Sequence, residues 1–297
     1  MILLTGIAYA ESLPKGRRIV GGYESVPYSY PWMAAIVDPG FRTTYNGLFC
    51  GASLIHSRWL VTAAHCVKDD SGRNLKPGQI EAVLNINNLK TESGDKVMAK
   101  RIIIHPQYDY WGNNDYDIAL IELERDMPYQ TLGWISDDRD LVGKDSLVLG
   151  WGYTNRRDPE TLMEVSMPVI SNAICNADYN MDGSYGKNPV SDLMICAGAD
   201  GKDSCSGDSG GPLMIKDGNN WKLAGIVSWG SDPCAEKGLY GVYTKVSAFA
   251  EFINSYVPAV LESPETSLAV SGTRVTYSWT PVPQAEGYLL SYAHILT

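Results

Sequence analysis

GDSGGP, residues 207–212, surrounds Ser209 with an aspartate and three glycines. Glycine adopts backbone angles that other residues rarely reach, so such a segment can hold one hydroxyl and nearby N–H groups in set directions. Acyl transfer by a serine needs such a frame, together with a base, a carboxylate that orients the base, and donors for the developing oxyanion. The alternative is an ordinary glycine-rich turn that happens to contain a serine.

Two upstream segments supply the missing groups. His65 lies in VTAAHC (61–66), and Asp117 lies in DYDIALIEL (115–123), at the start of an apolar run. Taken singly, a histidine beside a cysteine is more often structural, and an aspartate before a strand is usually a turn residue. Their occurrence together, in the order His65, Asp117, Ser209, predicts a Ser-His-Asp triad.

Composition limits the kinds of partner that the chain can have. Of its 297 residues 44% are hydrophobic, which suits one large domain or two small ones. The formal net charge is -10, so a nucleic acid or an anionic membrane has little electrostatic attraction for it. No run approaches the roughly 20 apolar residues of a membrane span. We therefore expect a soluble acidic protein with no nucleic acid partner and no membrane span.

The first ten residues, MILLTGIAYA, are apolar and end in Ala8-Tyr9-Ala10, a small-x-small cleavage pattern. We interpret residues 1–10 as a signal peptide remnant, although the usual positive n-region is missing. The alternative is a plain apolar N-terminus. The signal interpretation predicts a secreted protein, extracellular or periplasmic.

Six cysteines are present, and their even number behind a signal sequence suggests disulfides. They are Cys50, Cys66, Cys175, Cys196, Cys205 and Cys234. The count alone leaves 15 pairings open. No two of them have the CxxC spacing of a zinc site, so we expect no structural metal and no cofactor.

Short apolar runs between turn residues predict an all-β fold, because they are rich in Val, Ile, Tyr and Trp. The predicted strands are Trp32–Val37, Leu48–Leu54, Val97–Ile104, Ile118–Leu123, Leu147–Trp151 and Leu223–Trp229. One amphipathic helix is predicted near the end of this region, capped by Ser247 and ended by Pro258. Its apolar residues recur at helical spacing: Phe249, Phe252, Ile253, Tyr256 and Val257.

With these motifs in place, the sequence closely resembles the chymotrypsin-trypsin serine peptidases, from Arg18 to about Pro258. The resemblance implies a protease domain at 19–258 with two six-stranded antiparallel β-barrels, a C-terminal helix and an active site between the barrels. It also implies a secreted endopeptidase, monomeric, acting on proteins or peptides. The alternative from another class is a catalytically silent, protease-like binding module of a larger secreted protein.

The resemblance assigns a role to each residue of the triad. His65 is the general base, Asp117 orients it, and Ser209 attacks the peptide carbonyl. The backbone N–H groups of Gly207 and Ser209 form the oxyanion hole.

The same resemblance implies a pocket for a basic side chain. Asp203, six residues before Ser209, matches the acid at the base of the pocket in trypsin-like members. A carboxylate there selects Arg or Lys before the scissile bond, because it is unfavourable when unpaired. Glycines in the pocket wall leave room for a long side chain, and an exposed strand edge pairs with the substrate backbone. The predicted substrate-binding residues are Asp203, Ser228, Trp229, Gly230 and Gly241.

Arg18-Ile19-Val20-Gly21-Gly22 resembles the activation site of this family. Cleavage after Arg18 would free the Ile19 ammonium to pair with Asp208, which would otherwise be a buried carboxylate without a partner. The chain is then a zymogen with an activation propeptide at 11–18. This propeptide contains no cysteine, so we expect it to be released. Because Arg18 is basic, either the enzyme itself or a second protease could cut there.

The resemblance also selects one set of cysteine pairs, Cys50–Cys66, Cys175–Cys196 and Cys205–Cys234. Ser146 and Ile215 stand where many vertebrate members have a further disulfide. In the segment Val83–Lys100, the ligands of a calcium loop cannot be placed, so we predict no required metal.

Beyond the protease domain, residues 259–274 have the composition of a linker. Two strand-like runs follow, Val275–Trp279 and Tyr288–Ala293. The phrase VTYSWTPVPQAEGYLLSYA resembles the early strands of a fibronectin type III domain. Residues 275–297 are therefore predicted to be a partial fibronectin type III or Ig-like segment.

Overall fold

The computed structural model describes residues 21–152, 160–258, 266–271 and 274–279. In chain order the strands of this part are β1 (Tyr23–Glu24), β2 (Met33–Val37), β3 (Leu48–His56), β4 (Trp59–Thr62), β5 (Glu81–Leu84), β6 (Asp95–Ile104), β7 (Ala119–Leu123), β8 (Gly133–Trp134), β9 (Asp145–Gly150), β10 (Met163–Ile170), β11 (Met194–Ala197), β12 (Pro212–Asp217), β13 (Asn220–Trp229), β14 (Gly241–Lys245), β15 (Thr266–Ser271) and β16 (Arg274–Trp279). The helices are α1 (Thr44–Gly47), α2 (Asn172–Asp182) and α3 (Ala250–Asn254), with short 3-10 helices at His65–Val67, Pro77–Gln79 and Val246–Phe249.

The first barrel closes in the order β2-β3-β4-β7-β6-β5, with β5 pairing back onto β2. Every residue of β2, β4 and β7 is buried, because their apolar side chains fill the barrel or pack against its surroundings. Closure gives each of these six strands a pairing partner on both sides.

The second barrel is formed by β9, β10, β11, β14, β13 and β12, and it closes where β9 pairs with β10. Neighbouring strands are antiparallel around the ring, and β1 and β8 add short pairings on β10 and β13. Its core consists of buried Val, Ile, Leu and Met side chains with the fully buried ring of Tyr243. The prediction of two six-stranded antiparallel barrels is confirmed.

All six predicted strands are present, as β2, β3, β6, β7, β9 and β13. The predicted C-terminal helix is present but shorter than expected. Ser247 does not cap it, because residues 246–249 form a 3-10 turn and α3 begins only at Ala250, with Phe249 at the N-cap position and no side-chain cap. Of the residues at the predicted helical spacing, Phe249, Ile253 and Val257 are buried, but Tyr256 is exposed because it follows the end of α3 at Asn254. No helix of the described residues has the length and apolar character needed to cross a bilayer.

One prediction about the C-terminal region is wrong. Residues 266–271 of the expected linker form β15, which pairs antiparallel with β16 from Thr266 opposite Trp279 to Ser271 opposite Arg274. In the segment TSLAVS, the two large apolar residues Leu268 and Val270 are two positions apart with small residues between and beside them, a spacing that suits a strand. The compact unit that holds both barrels ends at Ser255, three residues before the predicted boundary. The run Tyr288–Ala293 lies outside the described residues, so the fibronectin-like segment stays a prediction.

Three disulfides join the pairs that the family resemblance implied. Cys50 of β3 bonds to Cys66 beside His65, Cys175 of α2 bonds to Cys196 of β11, and Cys205 bonds to Cys234. Each closes a loop of 16 to 29 residues, which in the chain-entropy view stabilises the fold by about 3 kcal/mol. Ser146 and Ile215 lie directly opposite each other between β9 and β12, at the place expected for a further bridge.

Candidate active site

His65 and Asp117 are brought together by the pairing of β4 with β7. Thr62, the last residue of β4, lies opposite Ala119, the first residue of β7. Because the strands are antiparallel, the residues that follow β4 and those that precede β7 meet at one end of the barrel. Asp117 accepts two hydrogen bonds from His65, from the backbone N–H to Oδ1 at 2.9 Å and from Nδ1 to Oδ2 at 2.8 Å.

These contacts determine the tautomer of His65. An ionised carboxylate has no proton to donate, so Nδ1 carries the hydrogen and Nε2 keeps its lone pair. Nε2 lies 3.8 Å from Sγ of Cys66, and the hydrogen bonds of the described residues include none between His65 and the Ser209 hydroxyl. Catalytic hydrogen bonds are often long in unliganded proteins and shorten when substrate binds.

Asp117 depends on the second barrel for its remaining donors. It is 1% exposed, and a buried carboxylate is stable only with compensating hydrogen bonds. Ser228 of β13 donates its Oγ–H to Oδ2 at 2.5 Å, and Thr244 of β14 donates to the Asp117 backbone carbonyl at 2.7 Å. Sequence reasoning missed both contacts, because separations of 111 and 127 residues leave no local pattern.

Burial and charge act in opposite directions on this pair. Burial lowers the pKa of His65, but the charge of Asp117 and the hydrogen bond to it raise that pKa more, to above the ordinary 6.5. Burial raises the pKa of Asp117, whereas the charge of His65 and the hydrogen bonds lower it to below 3.8. The charged form of the imidazole is therefore stabilised, which suits a base that must accept a proton.

The Ser209 loop is fixed between the two barrels. The carbonyl of Ser209 accepts the N–H of Gly51 in β3 at 2.7 Å, and Gly210 donates its N–H to the carbonyl of Val227 in β13 at 2.8 Å. Gly210 has φ of 78°, and a Cβ there would collide with Oγ1 of Thr62. Thr62 comes three residues before His65, so the close approach of Gly210 brings the Ser209 loop near the segment that carries His65.

Gly207, one of the two predicted oxyanion donors, has a backbone conformation that favours glycine. Gly207 has φ of 95°, which L side chains rarely adopt. The N–H groups of Asp208, Gly210 and Gly211 donate to backbone carbonyls. Within the described residues, those of Gly207 and Ser209 have no acceptor, so they are available to a ligand oxygen.

Asp208 is fully buried and turned away from Ser209. Its carboxylate accepts the N–H of Gly152 at 2.7 Å and that of Cys205 at 2.9 Å. A Cβ on Gly150 would collide with this carboxylate, and one on Gly152 would lie 2.5 Å from its Cγ, so both positions require glycine. Burial raises the pKa of Asp208 to about 6.

No cation of the described residues lies within ion-pair distance of Asp208. Its predicted partner, Ile19, and the predicted cleavage residue Arg18 lie outside the described residues. Sequence reasoning missed the role of Gly150 and Gly152, although GWG is a visible pair of glycines after an apolar strand.

Asp203 is buried close to Gly230 and Gly241, the two glycines predicted to line the pocket for a basic side chain. It is 1% exposed, its Oδ2 accepts the N–H of Ala235 at 3.2 Å, and its Oδ1 has no hydrogen-bond partner among the described residues. A Cβ on Gly241 would lie 2.5 Å from Oδ1, and one on Gly230 would lie 3.9 Å from Oδ2. Burial raises the pKa of Asp203 to about 7. Oδ1 of Asp203 is therefore a buried, unsatisfied acceptor that a cation could satisfy.

Three further predicted substrate-binding residues, Ser228, Trp229 and Gly230, lie at and just after the end of β13. Pairing of β13 with β12 extends only to Ile226, so in the described part of the chain no strand covers residues 228–230 on that side. The Trp229 ring stacks on the Tyr185 ring with centroids 6.0 Å apart, which supports one face of the indole.

One group of potential metal ligands occurs near the site. Ligand atoms of Cys50, His65 and Cys66 lie within 4.8 Å of one another, but the two sulfurs are bonded to each other and are not thiolates. In the segment where a calcium loop was considered, Glu92 accepts the Asn87 N–H at 2.7 Å. The absence of a required metal stays a prediction.

The family model for trypsin matches residues 19–253. The chain is similar to transmembrane protease serine 5 of Homo sapiens, 36% identical over 251 residues, which are 81% of this chain and 52% of that protein. It is similar to the tryptase of Mus musculus, 36% identical over 272 residues, which are 86% of this chain and 95% of the tryptase. It is similar to coagulation factor XI of Bos taurus, 35% identical over 247 residues, which are 80% of this chain and 37% of that protein.

The chain therefore spans about half or less of two of these relatives and nearly all of the tryptase. The family match covers both barrels and every candidate site residue except Arg18. From this match and the paired six-stranded barrels it follows that the chain belongs to the trypsin family of serine proteases.

Proposed function

We propose that the protein is a secreted endopeptidase, made as a zymogen, that cleaves peptide bonds after Arg or Lys through Ser209, His65 and Asp117. The observation that carries the proposal is the pair of hydrogen bonds that Asp117 accepts from the backbone N–H and from Nδ1 of His65. The three disulfides and the apolar N-terminus support secretion.

In the proposed mechanism, the Ser209 hydroxyl attacks the substrate carbonyl while Nε2 of His65 takes its proton. Asp117 keeps the hydrogen on Nδ1 and stabilises the imidazolium. The N–H groups of Gly207 and Ser209 donate to the oxyanion, each such donor being worth about 3 to 4 kcal/mol in the transition state. His65 then protonates the leaving amine, an acyl-enzyme forms, and water hydrolyses it by the reverse sequence of proton transfers.

Specificity for a basic residue is supported by Asp203. Its Oδ1 is buried and has no partner among the described residues, so it is an unsatisfied acceptor until a cation arrives. Arg or Lys would satisfy it and would also lower its raised pKa. A neutral side chain would leave the carboxylate unpaired, which makes discrimination large.

Zymogen activation is supported by Asp208, the fully buried acid next to Ser209. Neutralising it with a new ammonium is favourable by roughly 3 to 5 kcal/mol relative to leaving it unpaired. The family match begins at Ile19, the residue that cleavage after Arg18 would expose.

The test begins with limited cleavage of the intact chain by immobilised trypsin, which is then removed. We expect a new N-terminus of IVGG, release of residues 11–18 under non-reducing conditions, and hydrolysis of Arg and Lys peptides but not of matched Phe and Ala peptides. The variant Asp208→Asn should also be cleaved at Arg18. Its activity after cleavage should be at least about 100-fold below that of the native protein, because the Ile19 ammonium has no carboxylate to pair with.

Asp145→Asn, an exposed acid at the start of β9, is the matched control and should activate normally. Activation of Asp208→Asn to the level of the control would contradict the switch. If IVGG appears and no peptide is cut, the binding-module alternative replaces the protease proposal.

The pH dependence of the activated enzyme is a second prediction. His65 must be neutral to act as a base, and its pKa is raised above 6.5, so kcat should fall tenfold per pH unit below that raised pKa. Asp203, with a pKa of about 7 in the unliganded protein, must be ionised to bind Arg, so kcat/KM should fall more steeply than kcat. Initial rates between pH 5 and 9 measure both slopes. Equal slopes for kcat and kcat/KM would contradict the assignment of Asp203.

A further inference from the structure

The backbone just before Asp117 has an unusual conformation. Tyr116 has φ of 61°, in the left-handed region, which is an outlier for a bulky residue. Such a conformation persists only where the surroundings hold it, and it is found most often at functional sites. The carbonyl of Tyr116 accepts the N–H of Ile118 at 2.7 Å, so the chain turns sharply at Asp117. The direction of the Asp117 carboxylate therefore depends on the φ angle of Tyr116.

The ring of Tyr116 is held in a cluster of four rings, which we name the aromatic clamp: Tyr116, His105, Phe249 and Phe252. Tyr116 stacks on His105 with centroids 4.9 Å and planes 15° apart, and it meets Phe249 edge-on at 6.0 Å. His105 makes edge contacts with Phe249 at 5.3 Å and Phe252 at 4.9 Å. These arrangements are favourable for aromatic rings. Phe249 is 3% exposed and anchors the clamp in the C-terminal helical segment.

The backbone beside the clamp is restrained as well. The N–H of His105 donates to the carbonyl of Ile118 at 3.1 Å, so the two chain segments that carry His105 and Tyr116 are joined directly. Asp115, the residue before Tyr116, accepts hydrogen bonds from Asn113 at 2.6 Å and from the hydroxyl of Ser191. The loop is therefore fixed on both sides of Tyr116.

The clamp acts by geometry and not by charge. Burial lowers the pKa of His105, so its ring is neutral at neutral pH. The titratable groups facing Asp117 are His65, which donates to it, and Tyr108, whose pKa is raised by burial and by the charge of Asp117. Lys68 lies 6.0 Å from the Tyr108 ring centroid. None of these three side chains belongs to the clamp.

We propose that Tyr116 is a positioning residue for the triad: its ring, seated in the aromatic clamp, holds the left-handed backbone that aims Asp117 at His65. The inference rests on the proposed function, in which Asp117 orients His65. When the ring is removed, the backbone at residue 116 relaxes toward negative φ, and the Asp117 carboxylate turns away from Nδ1 of His65. Displacements of about 1 Å at a catalytic group lower rates by up to about 100-fold.

The test compares three substitutions after active-site titration. Tyr116→Ala removes the ring and should lower kcat about 10- to 100-fold while KM for an Arg peptide changes little, because the Asp203 pocket is untouched. Tyr116→Asn loses the ring but adopts left-handed angles readily, so its kcat should lie between those of the alanine variant and the native enzyme. Tyr116→Phe keeps the ring and should restore kcat to within about threefold of the native value.

Two further readouts separate positioning from a merely structural role. The acid limb of kcat should move to lower pH in Tyr116→Ala, because His65 loses part of its stabilisation by Asp117. The downfield proton resonance of the His65 Nδ1–H to Asp117 hydrogen bond should shift or broaden in the same variant. Tyr28 offers a matched control, since it also has a positive φ, 62°, but is 56% exposed, and Tyr28→Ala should change neither readout.

Three results would each overturn the proposal: a Tyr116→Ala kcat within twofold of the native value with an unmoved acid limb, an unchanged proton resonance in a folded Tyr116→Ala, or the same losses in Tyr28→Ala. The proton resonance does not depend on hydrolysis. If the native protein cleaves no Arg peptide after activation at Arg18, the proposed function fails, while the resonance still decides whether Tyr116 positions Asp117.

Discussion

Replacing Ser209 by alanine is expected to lower kcat for an Arg peptide by about 10⁶-fold, because the nucleophile and the proton relay through His65 act as one unit. The backbone of the loop should persist, since its contacts with Gly51 and Val227 are made by main-chain atoms and by Gly210. Substrate binding should therefore be retained. Steady-state hydrolysis and binding of an Arg peptide to the activated variant measure the two effects separately.

The exposed Ser184, in the loop after α2, provides the matched control, and Ser184→Ala should hydrolyse the peptide at the native rate. Residual activity of roughly 10³- to 10⁴-fold over the uncatalysed reaction is expected in Ser209→Ala from the N–H donors and binding alone. A loss of less than about 100-fold would show that Ser209 is not the nucleophile, since no water-mediated route replaces it so well.

Replacing Asp203 by asparagine should lower kcat/KM for Arg and Lys peptides by about 10²- to 10⁴-fold, the equivalent of 3 to 5 kcal/mol for an uncompensated buried charge. In the variant it is the substrate cation that lacks a partner. Hydrolysis of matched neutral peptides should not fall, so the preference for basic residues should largely disappear.

The same substitution should raise the free energy of unfolding of the unliganded protein. The folded-state pKa of Asp203 is raised from 3.8 to about 7, so the folded state binds this proton more tightly than the unfolded chain does. Ionisation of the buried Asp203 therefore destabilises the folded state. This destabilisation is absent below about pH 3.8, grows as pH rises to about 7, and reaches about 4 kcal/mol, as an upper limit, above that pH. Asp203→Asn removes it.

Denaturant unfolding at pH 5 and pH 8 tests this prediction, with the exposed Asp200→Asn as control. Opposite signs for activity and stability distinguish a specificity residue from one whose loss merely damages the fold. A variant that is less stable at pH 8 than the native chain, or that still cuts Arg peptides within tenfold of the native rate, would refute the assignment of Asp203.

Local pattern was enough for six of the twelve barrel strands. Runs such as Trp32–Val37 and Leu223–Trp229 combine β-branched and aromatic residues with flanking turn residues, and the structure forms strands there. Pattern was less reliable at the C-terminus. The spacing of Phe249 and Ile253 indicated a buried helical face, but it could not reveal that the first turn is a 3-10 turn, and composition concealed the strand Thr266–Ser271.

By itself, the sequence determined which reactive groups are present, their order, and where the backbone needs glycine. The positive φ angles of Gly207 and Gly210 are properties of local chain geometry, so GDSGGP already contained them. Only the tertiary structure decided which distant groups meet. Asp117 receives hydrogen bonds from residues 52 to 127 positions away, and Asp208 contacts Gly152, 56 positions away. These contacts exist because barrel closure brings strand ends together, and chain separation of that length leaves no trace in local sequence periodicity.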